Sequence, residues 1–141
     1  MVKFIIPLAV LVANLFQSAF ADGVAPEMKP FKLPEIATVT IKENGARSPA
    51  ARQADQGCGG FLLSKRDITD FWRRAGEVSE HDYHHMLDWS PCYASGTLRL
   101  KNGMTGIWGI HQYRGGSIKF SDGKTIYLHC PSCKSRPFQP Q

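Results

Sequence analysis

Four cysteines and five histidines hold most of the chemistry this chain could perform. Cys58, Cys92, Cys130 and Cys133 are even in number, the arithmetic of a protein stapled in an oxidising compartment, so two disulfides are expected. Three pairings exist, and the C-x-x-C could as well reach Cys58 or Cys92 as close on itself. The favoured pairing is Cys58 with Cys92 and Cys130 with Cys133. The first would enclose the helical region, a loop closure of roughly 4 kcal/mol in the chain-entropy model. The second would close a turn through Pro131 and Ser132.

Sharper readings of these residues each lack a part. A redox dithiol at Cys130 and Cys133 needs a helix N-terminus to lower the thiolate pKa, whereas a strand pattern precedes the motif and Pro137 follows it. Zinc on His129, Cys130 and Cys133 lacks a second ligand pair at finger spacing. A nucleophilic Cys92 with a histidine base would require a reduced thiol. Geometrically sounder is Zn or Cu on a second helix, where His81 and His85 stand at i, i+4 with His84 and Asp88 alongside. The glutamate of H-E-x-x-H is absent there, and a solvated polar helix face is the plainer reading. No G-x-S-x-G, phosphate-cradling glycine loop or dinucleotide fingerprint occurs, so the sequence leans away from an enzyme and implies no cofactor, Zn or Cu being the alternative.

The remaining chemistry is recognition. Trp89, Tyr93, Tyr113 and Tyr127 lie near expected turns or wet strand faces, where large amphipathic rings anchor interfaces. Phe71 and Trp72 read as core.

Positioning these residues falls mainly to 95–133, which reads as four antiparallel strands. Asn102-Gly103, Arg114-Gly115-Gly116 and Ser121-Asp122-Gly123-Lys124 are its turns, each with glycine for a positive φ. Leu98 and Leu100, Ile118 and Phe120, Ile126 and Leu128 alternate with polar neighbours, so one face is dry. The second strand places Ile107, Trp108 and Ile110 on both faces, as if its other face were covered as well. Ahead of this stretch, Ser64 with Asp67 caps a helix whose Ile68, Phe71, Trp72 and Ala75 share a stripe until Gly76 stops it. Ser79 with Asp82 opens a second, shorter helix with Tyr83, Met86 and Leu87 on one face, ended by Pro91.

The predicted fold is α+β: two short helices packed on a disulfide-stapled, four-stranded antiparallel β-meander, five-stranded if an edge strand at 35–42 joins it. Residues 57–134 would form this single domain. Residues 22–56 read as a Pro/Ala-rich linker containing that edge strand, with a turn at Asn44-Gly45, and 135–141 as a flexible tail. Residues 1–21 read as a cleaved signal peptide, with Lys3, an apolar run over 4–16 and Ala19-Phe20-Ala21 at the cut. That run is too short to span a membrane, and no second one follows, so no integral span is expected. Cleavage removes Lys3 alone and lowers the formal net charge from +5 to +4. So mild a basicity suits acidic surfaces and does not indicate nucleic acid.

Together these features describe a small periplasmic or secreted binding or inhibitor-type protein, immunity against an exported toxin being one form. Its expected partner is another exported protein or a component of the cell envelope. The absence of an N-x-S/T acceptor favours a bacterial periplasm. Metal binding at the helix-two histidines and thiol–disulfide chemistry at the C-x-x-C are the alternative functions.

Overall fold

A computed structural model describes residues 24–51, 57–134 and 136–138. The signal peptide read at 1–21 lies outside them. The chain forms β1 (Lys29–Pro30), β2 (Ile36–Arg47), α1 (Lys65–Arg74), β3 (Gly76–Val78), α2 (Glu80–His85), β4 (Cys92–Leu100), β5 (Thr105–His111), β6 (Gly115–Phe120) and β7 (Thr125–His129). All seven strands belong to one antiparallel sheet in the order β1-β3-β7-β6-β5-β4-β2.

This overturns the expected fold of two helices packed on a four- or five-stranded meander. The meander is present as β4 to β7, but it is the middle of a larger sheet. β3 extends one side, where the sequence showed only the stop of a helix. A three-residue strand has no alternation to read; its ladder to β7 through Gly76 and His129, Glu77 and Leu128, and Val78 and Tyr127 defines it. β2 extends the other side and is longer than the anticipated edge strand, running through Asn44-Gly45, which is a bulge in the strand and not a turn. Asn44 explains the continuation: its side chain accepts from Leu63 N and donates to Leu63 O, both at 2.9 Å, as a neighbouring strand would. Part of the expected linker is thus sheet.

Two of the three expected meander turns have the expected geometry, with Gly103 at φ +89° and Gly123 at φ +91°. Asn102 and Asp122 side chains accept from Met104 N and Lys124 N and close them. At the third, the positive φ falls on Arg114, at +69°, while Gly115 and Gly116 are strand residues of β6.

The register separates two faces. Leu98, Trp108, Ile118 and Ile126 point to the inner one and are buried, and α1 closes it. Ser64 and Asp67 form the expected capping box, and Ile68, Phe71 and Trp72 are the buried stripe. What lies over Trp108 is Trp72, edge-on at 6.0 Å between centroids. Phe138 joins this core, 5.7 Å from Phe61 and 5.8 Å from Phe71. Phe138, within the stretch expected as a flexible tail, is thus part of the core, which the polar composition around it concealed.

The second helix does not pack as expected. α2 buries none of its residues and lies on the opposite side of the sheet from α1, since its Tyr83 meets Tyr127 and His111, which have outer-face parity. Toward the other end of the sheet no helix among the described residues lies over the outer face, and Ile107 is 64% exposed. The expectation of a second covered face fails because six residues of helix reach only one end of the sheet.

Candidate binding face

Both faces of a sheet strand are available to side chains, so closing one with α1 leaves alternate residues of β4, β5 and β6 for display. Tyr93, Ser95, Thr97 and Arg99 of β4 stand beside His111, Gly109, Ile107 and Thr105 of β5, and Ser117 and Lys119 of β6 follow. Two hollows mark this face. At the α2 end, a cleft of about 230 Å³ is walled by Tyr83, Trp89, Tyr93 and His111 over a floor of Ser90, Gly109 and Ser117. Gly109 opens the cleft, because a Cβ there would meet no atom within 4 Å. At the other end, a groove of about 680 Å³ runs past Thr40, Thr97, Arg99, Thr105, Ile107 and Lys119. No ion pair engages Arg99 or Lys119 among the described residues.

The aromatic end is held by a ring cluster. Tyr83 lies 5.0 Å from Tyr127 and 6.2 Å from His111, and His84 lies 5.4 Å from Tyr127. Burial, with Tyr127 beside it, raises the Tyr83 phenol to about 12. The Tyr127 phenol is raised by burial and by its hydrogen bond to Glu80, donated to Oε1 at 3.2 Å. A hydrogen bond to Glu43 raises that of Tyr93. His111 is pushed the other way, to about 4, by burial and by the neighbouring His129. These rings stay neutral at ordinary pH, the state in which an aromatic surface is least costly to desolvate.

Of the four aromatic residues singled out from the sequence, Trp89 and Tyr93 line one cleft, and Tyr127 supports it through Tyr83. Tyr113 stands apart in the β5–β6 turn, where its N–H donates to His111 Nδ1 at 3.2 Å. The sequence placed Tyr83 on the apolar helix face, read the face bearing Ile107 as covered, and did not single out His111. Strand parity pointed to the last two; nothing local showed which side of the sheet α2 would take.

Both disulfides, Cys58–Cys92 and Cys130–Cys133, are present, and there is no free cysteine among the described residues. A nucleophilic Cys92 and a zinc site on His129, Cys130 and Cys133 are thereby removed, because every sulfur is spent in a bond. Cys130 and Cys133 are both buried in a turn after β7, with no helix N-terminus at either sulfur. On α2 the rings of His81 and His85 come to 4.7 Å, while His84 turns to Tyr127 and Asp88 lies beyond the helix. No three metal-ligating side chains converge among the described residues. Nor is any helix there long and apolar enough to cross a membrane.

No family model, curated protein or solved structure matches this chain. The functional reading therefore rests on the face itself.

Proposed function

We propose that the chain is an exported binding protein that recognises another exported protein through the outer face of its sheet, with inhibition or immunity as the natural outcome of such binding. One observation carries this reading: exposed Trp89 and half-buried Tyr93 stand over an unfilled floor at Gly109 on the face that α1 leaves open. Interfaces place aromatic anchors around such hollows and surround them with contacts that exclude water. Ile107 and the threonines extend the contact area. Arg99 and Lys119, without acidic partners among the described residues, suit an acidic surface on the partner. The signal-like sequence at 1–21 and the two disulfides support export.

Site-specific photo-crosslinking in the exported fraction tests this. A photoreactive residue in place of Ile107 or Trp89 is expected to give one defined protein adduct, and in place of Arg66 on α1 none. Gly109→Leu, which fills the cleft without meeting protein atoms at Cβ, should remove the adduct and leave the melting temperature unchanged. Lys119→Glu should weaken it. Adducts equally strong from Arg66, or indifferent to Gly109→Leu, would refute the assignment of this face.

A further inference from the structure

Arg114 ends the β5–β6 turn with a left-handed backbone at φ +69°, and the residue is only 6% exposed. Non-glycine residues hold such a conformation where their surroundings impose it, often at functional sites. Here the Arg114 carbonyl accepts from Cys130 N at 3.0 Å and from His129 Nδ1 at 3.2 Å, which ties the turn to the end of β7. The guanidinium so placed is a charge withdrawn from water with little in return. Its Nη1 donates to the Pro131 carbonyl at 2.9 Å, and its Nε is buried without a partner. No ion pair among the described residues involves it. Buried charges are otherwise paired, because an uncompensated one opposes folding.

Beside it lies a cavity of about 410 Å³ lined by Arg114, His129 and Lys134, with Pro26, Met28 and Pro131 among its other walls. Among the described residues its ionisable lining is wholly basic. The size is that of a small-ligand site, and the mixture of a few converging polar groups with apolar walls is what such sites show. His129 has committed its Nδ1–H to the Arg114 carbonyl, which leaves Nε2 of the neutral ring as an acceptor, so the donors offered to an anion are those of Arg114 and Lys134. The Cys130–Cys133 disulfide closes the turn that carries Pro131 and so holds one wall of this cavity in place.

We propose that this cavity binds a small organic oxyanion, a carboxylate or phosphate head on a compact apolar body. The Arg114 fork and the Lys134 ammonium take the head, and Pro26, Met28 and Pro131 surround the body. The cavity shares no lining residue with either hollow of the outer face, so this inference and the proposed partner binding stand or fall separately.

The test is proton–nitrogen correlation NMR on the Arg114 Nε–H of the disulfide-intact protein. The probes are acetate, butyrate, inorganic phosphate and phenyl phosphate, each compared with sodium chloride at equal ionic strength. A saturable shift with one or both oxyanion classes, absent with chloride, is expected, and butyrate or phenyl phosphate should bind more tightly than the bare head. A response to acetate and butyrate alone assigns a carboxylate; a response to the phosphates alone assigns a phosphate monoester. Lys134→Glu, at an exposed position, should weaken binding about ten-fold, the scale of a lost charge-assisted hydrogen bond. Arg114→Lys should weaken it further, and if that variant does not fold, Lys134→Glu decides. No saturable shift with any of the four probes, a shift that chloride reproduces, or undiminished affinity in Lys134→Glu would overturn the site.

Discussion

A Cβ at Gly115 would lie 2.2 Å from Nε2 of His111, so the buried imidazole occupies the space that any side chain at residue 115 would need. The contact places an edge of the aromatic cleft against the first residue of β6. Gly115→Ala should therefore destabilise the fold by about 1–3 kcal/mol, as overpacking does. In a chain that also carries His111→Ala, the alanine at 115 should cost far less. Urea unfolding of the four chains gives the coupling directly; additive losses would show that the cost at residue 115 does not come from the His111 ring.

Acid should loosen the same region. His111 titrates near 4 in the fold, against an ordinary 6.5, because it is buried and faces His129, with the Tyr83 ring above it. Its Nδ1 accepts the Tyr113 N–H and must be unprotonated to do so. Above pH 6.5 neither state binds the proton, and stability is independent of this group. From 6.5 down to about 4 the unfolded chain takes up a proton that the folded chain refuses, so stability falls as pH falls. The slope approaches about 1.4 kcal/mol per pH unit, for a total of about 3 kcal/mol. His129, also lowered chiefly by burial, adds in the same direction. Unfolding free energies measured across this range should flatten in His111→Gln; an unchanged slope would place the titration elsewhere.

The two faces of β5 should respond in opposite ways to truncation. Trp72→Ala removes the ring over Trp108 and should cost about 3–5 kcal/mol. Ile107→Ala, on the open face, should change stability by no more than about 0.5 kcal/mol. Thermal melts of both variants decide it, and a large loss at Ile107 would mean that something in the folded protein covers it.

Loop length ranks the disulfides. Cys58 and Cys92 are 34 residues apart and Cys130 and Cys133 only 3, so replacing each pair by alanine should cost about 4 and about 2 kcal/mol. Denaturation midpoints of the two variants check this order. Loss of the shorter bond should in addition weaken oxyanion binding, since it releases Pro131.

Local, short-range signals were legible in the sequence. Ser64 and Asp67 cap α1 from three residues apart, and its Ile68, Phe71 and Trp72 stripe needs no knowledge of the partner it covers. Alternation in β4 to β7 identified the dry face, and Asn102-Gly103 and Asp122-Gly123 placed two turns, because backbone sterics act within four residues. An even cysteine count allowed two disulfides but left the pairing among three choices. Tertiary structure alone decided the rest. β1 and β3 are two and three residues long, too short for a periodic pattern, and exist because β7 and then β3 offer them backbone partners. The side of the sheet taken by α2 depends on where Tyr83 meets Tyr127 and His111, residues 28 to 44 positions downstream. Arg114, read as an ordinary turn residue, became a buried cation only when His129, Cys130 and Pro131 closed around it. Burial is a property of the whole packed chain, and no stretch of sequence carries it alone.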